Sequence, residues 1–324
     1  MKNIAIIGAG LSGLTCAKHL SLSSKVTIFE KSRGVSGRMS TRYAGEYEFD
    51  HGAQYFTARH PDFKSCILEA ISEGHIAPWT GLALYDKGQG KFETDRGSDR
   101  FVAVPRMNSW AKSLAKGLNI ELGVRIKSIE TREKKWALLS DEGEIYDGFD
   151  ELVLAIPSPQ ALTLLPDGFS KIEAVRSAAM DACFALMLGF DTKIKVPWDS
   201  LRVKDSPIAW IAVNSAKPER GAAATLMVHT HPDWSNENAD EDRSKLMQII
   251  VREASRITGI ETSSAVHKSL HRWLYASVSN SPNTLFLRDE AKHLTLCGDW
   301  CLGGRVEAAW LSGRAASKAI LARS

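Results

Sequence analysis

What this chain of 324 residues has little of narrows it first. It carries five cysteines, Cys16, Cys66, Cys183, Cys297 and Cys301, an odd number with no Cys-x-x-Cys pair. That argues against a disulfide framework or a zinc ribbon, so free thiols in a reducing, cytoplasmic setting and no metal are expected. No apolar run approaches the ~18–20 residues that span a bilayer, so no membrane span is expected. Neither sign of charge dominates: 41 Lys+Arg face 38 Asp+Glu, a net +3. With no basic run and no RNA-binding signature, nucleic acid is not expected as a partner. Internal repeats and low-complexity segments are also missing. Lys2 and the apolar residues after it could pass for a secretory leader. Removing them would destroy the glycine pattern that follows, so they are read as a first strand.

What is present starts with that pattern. The run Asn3-Ile4-Ala5-Ile6-Ile7 leads into Gly8-Ala9-Gly10-Leu11-Ser12-Gly13 and then a helical stretch, Leu14 through Leu20. Gly8 permits the tight turn, Gly10 lets backbone approach a pyrophosphate, and Gly13 lets helix and strand pack closely. The helix N-terminus then offers its free N–H groups and positive dipole end to phosphate. A second strand, Lys25–Phe29, ends in Glu30, 20 residues after Gly10, where a carboxylate can accept from ribose hydroxyls. Strand, glycines, helix, strand and acid together call for a dinucleotide. Lys31 follows at the same strand end, and a second glycine-bearing loop then brings in Arg38, whose planar fork can reach the same pyrophosphate.

The remainder divides by grammar. With 44% hydrophobic and 24% charged residues, the chain can bury a large core and is expected to form two domains. Helical spacing marks 62–73, 107–118, 240–258 and 305–321. The apolar run 151–157, stopped by Pro157, reads as a buried parallel strand. From about 165 successive strands are joined by polar loops, which suggests a mainly antiparallel sheet. Near the end a strand closes in Gly298-Asp299 before the last helix, returning to the opening pattern. The expected class is α/β: a discontinuous Rossmann-type cofactor domain, 1–62, 101–164 and 290–324, with an inserted substrate domain of mainly antiparallel sheet plus helices, 63–100 and 165–289.

Gly37-Arg38-Met39-Ser40-Thr41, Asp50-His51-Gly52-Ala53-Gln54-Tyr55-Phe56, Phe101 to Met107 and Gly298 to Trp310 occur in order, and with them the chain resembles the renalase family. It looks most like the bacterial branch of that amine-oxidase-like group of flavoproteins, over residues 1 to about 320. One departure is Ser36, which stands where the first glycine of the group's Gly-Gly-Arg is usual. The resemblance implies noncovalent FAD and oxidation of misreduced dinucleotides, the 2- and 6-dihydro isomers of NAD(P)H. Hydride would pass to flavin N5 and the electrons to O2, giving NAD(P)+ and H2O2. It implies Ser12, Arg38, Gln54, Tyr55, Ile126, Asp299 and Val306 around FAD, beside Gly8, Gly10, Gly13, Glu30 and Lys31 of the dinucleotide unit. Tyr55, Arg59, Arg96, His229, Trp273 and Arg305 would surround the substrate, with Tyr55, His229 and Trp273 at the reacting ring.

Those assignments have physical content. Asp299 can accept from a ribityl hydroxyl or cap the following turn. Val306 opens a helix whose N–H groups can stabilise negative charge on a reduced flavin. Tyr55 and Trp273 can flank a planar ring or serve as core aromatics. Two rivals stand beside the main reading. An amine oxidase commonly carries tyrosine where Arg305 stands, forming an aromatic cage; arginine there opposes a cationic amine. A non-catalytic flavin-binding protein is the other. The sequence leaves the preferred isomer, the choice of NAD or NADP and the oligomeric state open.

Overall fold

The computed structural model describes every residue except 89, 90, 96, 323 and 324. β1 (Asn3–Ile7) sits between the strand Glu151–Leu154 and β2 (Lys25–Glu30), parallel to both. Its alternate residues serve different cores. Ile4 and Ile6 pack with α1 (Leu11–Leu20) and the last helix, Val306–Leu321; Ala5 and Ile7 pack with Trp136, Leu138 and Leu152. Burial on both faces explains why the strand is apolar throughout. The sheet runs Leu287–Asp289, Leu294–Leu296, Glu151–Leu154, β1, β2, Asn119–Leu122. Only the first of these is antiparallel. Strand order reverses beside β1, and the carboxyl ends of the strands there open a crevice, the usual ligand position in such sheets.

Leu287–Asp289 lies in the stretch that the sequence grouped with the substrate domain, yet it is an edge strand of the cofactor sheet. Three residues pairing antiparallel with Leu294–Leu296 carry too little pattern to be read locally. The expected strand 151–157 stops at Leu154, and Pro157 instead precedes a short helix, Ser158–Leu162. A three-stranded sheet, Ile126–Arg132, Lys135–Ser140 and Ile145–Phe149, packs beside the parallel sheet.

The second large sheet has seven strands, in the order His267–Asn280, Ala179–Phe190, Ala224–Thr230, Ile208–Val213, Ser200–Arg202, Ala83–Asp86, Phe92–Thr94. All pairs are antiparallel except Ser200–Arg202 with Ala83–Asp86. Period-two alternation again sorts the side chains. Phe184, Leu186 and Leu188 pack with Leu246, Ile250 and Ala254 of the helix Arg243–Thr258. Ala185 and Met187 face the other way, toward Tyr47, Phe49 and the crevice. That helix is capped by Asp242, which accepts from Ser244 N and Lys245 N, and ends on Gly259 at φ 69°.

Within the cofactor half the helices on the parallel sheet also pack tightly. Gly313 of the last helix lies so close to α1 that an added Cβ would drive into the backbone oxygen of Ser12. Gly313→Ala should therefore cost about 1–3 kcal/mol of stability by overpacking and lower flavin retention, because the N-terminal turn of α1 moves. Denaturant unfolding and the flavin-to-protein absorbance ratio of the purified variant check this.

Candidate active site

Two loops make the floor of the crevice. Gly8 takes φ 104°, and its N–H donates to Phe29 O at 2.8 Å. The second loop lies alongside: Ser36 N donates to Ala9 O at 2.9 Å, and Ser36 pairs with Gly10 as an isolated bridge. Gly37, at φ 54°, crosses Gly10 so closely that a Cβ would sit 3.2 Å from the Gly10 Cα. Ser36 itself adopts φ 107°, a left-handed conformation that costs a serine on the order of 1–3 kcal/mol. That strain is the physical meaning of the serine found where glycine is usual. Glu30 ties the loops together, accepting from Ala9 N and Ser32 N, each at 2.8 Å.

The cleft above has a volume of about 1580 Å³, beyond the ~300–1,000 Å³ that holds a drug-sized ligand. FAD fits what lines it. Gly10 leaves open space where a side chain would be, and the Ser36 hydroxyl is buried with no partner of its own. The last helix presents its N-terminus, with no side-chain cap at Arg305. Arg38 and Asp299 also line the cleft, but in this structure they hold each other. Arg38 donates twice to the Asp299 carboxylate, at 2.9 and 2.5 Å, and once to Ala276 O at 3.1 Å. Both oxygens of the Asp299 carboxylate accept from Arg38.

The substrate side is built on one cross-sheet rung. Strand register places Arg202 opposite Trp210, Trp210 opposite His229, His229 opposite Ala185 and Ala185 opposite His271. Directly opposed residues share a face, so a small alanine sits between two imidazoles on the sheet face turned to the cofactor half. Trp273 donates from Nε1 to His51 O at 2.9 Å, stacks on the His51 ring at 5.2 Å and meets His271 edge-on at 4.5 Å. Burial keeps these imidazoles uncharged: it pulls His51 down to about 3, with His271 and Arg42 adding to the effect. His229 falls to about 4 through burial and the Lys217 charge, and His271 to about 4 through burial and Arg42. Tyr55 packs 5.4 Å from Trp210 beneath the Arg100 guanidinium at 4.7 Å, and accepts from Arg202 at 3.3 Å.

Of the expected residues, Gly8, Gly10, Ser12, Glu30, Lys31, Arg38, Tyr55, Arg59, His229, Trp273, Asp299, Arg305 and Val306 line this one cleft. Arg59 and Arg305 are exposed there, and the Arg59 and His60 N–H groups are fixed by Glu307 at 2.7 Å each. Three expected cofactor residues stand off the wall. Gly13 is buried where a Cβ would strike Gly8 O, and Ile126 lies in the core with Trp136 and Phe149. Gln54 points behind the wall, toward backbone carbonyls, Lys217 and His229. Arg96 lies outside the described residues. His51, His271, Trp210, Arg100 and Arg202 were not foreseen. His271 had a signal, since it is two residues from Trp273 on a strand and so shares its face.

The family model for flavin containing amine oxidoreductases matches residues 75–321, and that for an NAD(P)-binding Rossmann-like domain matches residues 6–68. The chain belongs to the flavin containing amine oxidoreductase family. FAD is its cofactor, and the cradle just described is where it would lie. The chain is 24% identical to mouse renalase over 329 residues, 92% of each chain. A coproporphyrinogen III oxidase of Mycobacterium tuberculosis is 25% identical over 58% of this chain and 42% of its own length. The structure of cyclohexylamine oxidase from Brevibacterium oxydans superposes with a TM-score of 0.76 at 15% identity, covering 98% of both chains. No helix among the described residues is long and apolar enough to cross a membrane.

Glu30→Ala should weaken the protein before any cofactor is considered. The buried Ala9 N–H and the partly buried Ser32 N–H lose a charged acceptor, a cost of about 1.5–3 kcal/mol. Unfolding of flavin-stripped protein should show this loss, and flavin retention should fall with it. Unchanged stability of the stripped variant would mean that the carboxylate serves the ribose alone.

Proposed function

We propose that the protein is an FAD-dependent oxidase of misreduced nicotinamide dinucleotides, converting the 2- and 6-dihydro isomers of NAD(P)H to NAD(P)+ with reduction of O2 to H2O2. One observation carries this reading. Among the described residues lining the cleft there are ten Lys and Arg against three Asp and Glu. The three acids are all engaged: Glu30 by backbone N–H groups, Asp95 by Arg100 at 2.6 Å and Asp299 by Arg38. A chain of net charge +3 thus concentrates positive charge around this cleft. Such a lining attracts diphosphates and opposes a cationic amine. The similarity to renalase points the same way.

Bound FAD would supply the hydride acceptor and the redox link to O2. The chain's own residues position. Arg59 and Arg305, exposed on the cleft wall, can take the substrate's phosphates in bidentate fashion. Tyr55 and Trp273 present aromatic surface for the reacting ring. His229, held uncharged, offers hydrogen bonding and shape without a proton to lose. Hydride transfer needs no side-chain base, so the rate arises from orientation and tuning.

The test is anaerobic mixing of the holoenzyme with 2-dihydro-, 6-dihydro- and 4-dihydro-NAD and with a primary amine, following flavin absorbance. The 2- and 6-dihydro isomers should bleach the flavin, and air should restore it. In Arg305→Tyr, KM for these isomers should rise about tenfold while bleaching at saturation changes less than threefold, as for an ionic contact shared by ground and transition states. Bleaching of the wild type by the amine would restore an amine-oxidase reading. No bleaching by any of them would leave a flavin-binding protein without turnover of these substrates.

A further inference from the structure

The last helix, Val306–Leu321, carries in its first turn a carboxylate that the cofactor cradle does not use. Glu307 is 4% exposed. Its Oε1 accepts from Arg59 N and His60 N, each at 2.7 Å. Those two N–H groups stand at the start of another helix, Pro61–Ser72, whose N-cap is His60. The Glu307 charge is thus set against the positive dipole ends of two helices at once. Burying a carboxylate is costly unless its hydrogen bonds are made, and here backbone donors on two successive residues make them.

This contact is one of three along a helix face. Trp310 packs on Phe63 with ring centroids 5.4 Å apart, and Arg314 donates to Asp62. Positions 307, 310 and 314 follow the i, i+3, i+7 spacing of one helical stripe, so residues 59–63 lie along the last helix. On the neighbouring face, Arg305, Val306 and Ala309 line the cleft. Arg59 lines the cleft too and is exposed there. Only the Glu307 contact grips the Arg59 backbone; the other two hold the chain further along. A backbone fixed in advance leaves less freedom to be lost when the side chain meets a ligand.

We propose that Glu307 is a positioning residue of the cleft: by gripping the Arg59 and His60 N–H groups, it holds the Arg59 guanidinium beside Arg305, so that the two arginines form a clamp for a diphosphate. Each planar fork can take a phosphate through two N–H groups. That the diphosphate belongs to a nicotinamide dinucleotide rests on the oxidase reading; the clamp itself does not.

The experiment is a double-mutant cycle read by calorimetric titration of the holoenzyme with ADP, which carries a diphosphate and no nicotinamide. Arg59→Ala should weaken ADP binding about tenfold, Glu307→Ala about as much, and the double variant no more than about twofold beyond either, because both changes remove the same contact. Glu307→Gln keeps an acceptor for both N–H groups and should stay within threefold of the wild type. Arg314→Gln cuts the outer contact of the same helix pair; it should lower the denaturant midpoint yet leave ADP affinity within twofold. Should Glu307→Ala fail to fold, Glu307→Asp, whose shorter reach loses the grip, takes its place in the cycle. In the wild type the Arg59 and His60 amides should exchange with solvent at least a hundredfold more slowly than free amides, and fast exchange at both would overturn the proposal whether or not the variants fold. Losses that multiply in the double variant, an Arg314→Gln as weak for ADP as Glu307→Ala, or a wild type that does not bind ADP would also overturn it. If the cycle holds but the dihydro isomers fail to reduce the flavin, the oxidase reading falls and the role of Glu307 stands. If the isomers reduce the flavin and the losses multiply, the proposal falls alone.

Discussion

A single buried carboxylate, Asp50, ties the two halves of this protein together. It is fully inaccessible to solvent and accepts from Thr41, Met107 N, Lys217 and Arg220. Burial alone would push its carboxyl up, but the Lys217 and Arg220 charges bring it down to about 2. Thr41 and Met107 belong to segments that run with the cofactor loops, whereas Lys217 and Arg220 come from the loop that feeds the strand Ala224–Thr230 of the other sheet. The loop 50–56 thus becomes a hinge plate pinned from both sides. On it are mounted His51 and Tyr55 of the cleft wall and Gln54 behind it.

From that plate outward, the cleft follows by packing. Tyr47 lies against Gly189, where any side chain would collide with its ring, so the strand hairpin that precedes Asp50 seats directly on the seven-stranded sheet. This sets the rung from Arg202 to His271 against the cradle of Gly8–Gly13 and Ser36–Arg38. The cradle carries its own strain at Ser36, and the Arg38–Asp299 pair bridges it to the Gly298-Asp299 strand end. The result is a wall rich in arginine around a lining of uncharged imidazole and indole. The diphosphate of FAD is a ligand such an arginine-rich lining would gather.

Much of this was legible in the sequence where the determinants are local. The glycine fingerprint, β2 and Glu30 fall within 30 residues and each imposes its geometry on its neighbours, so a Rossmann-type unit and a dinucleotide could be read directly, while FAD followed from the family resemblance. A helix was expected over 240–258 and spans Arg243–Thr258, where Leu246, Ile250 and Ala254 share one face and the Asp242 cap and Gly259 stop fix the ends. What was not legible depends on partners far apart in the chain. Lys217 stands in Asn-Ser-Ala-Lys-Pro-Glu-Arg, a stretch that reads as a solvated turn; only its approach to Asp50, 167 residues away, shows it to be buried. Arg38 and Asp299, read separately as ligands, are 261 residues apart and meet each other. Gln54 was expected on the cofactor, and the donor-only chemistry of Lys217 turns it inward instead.

The central claim, that one buried charge holds the cleft together, is tested most directly by Asp50→Asn. The substitution keeps shape and removes only the charge, leaving Lys217 and Arg220 buried without an anion. Equilibrium unfolding should be followed by tryptophan fluorescence and by flavin release on the same samples. The account predicts a loss of about 3–5 kcal/mol, with both signals moving together because both halves of the cleft depend on the same plate. Stability within about 0.5 kcal/mol of the wild type, with flavin retained, would contradict it.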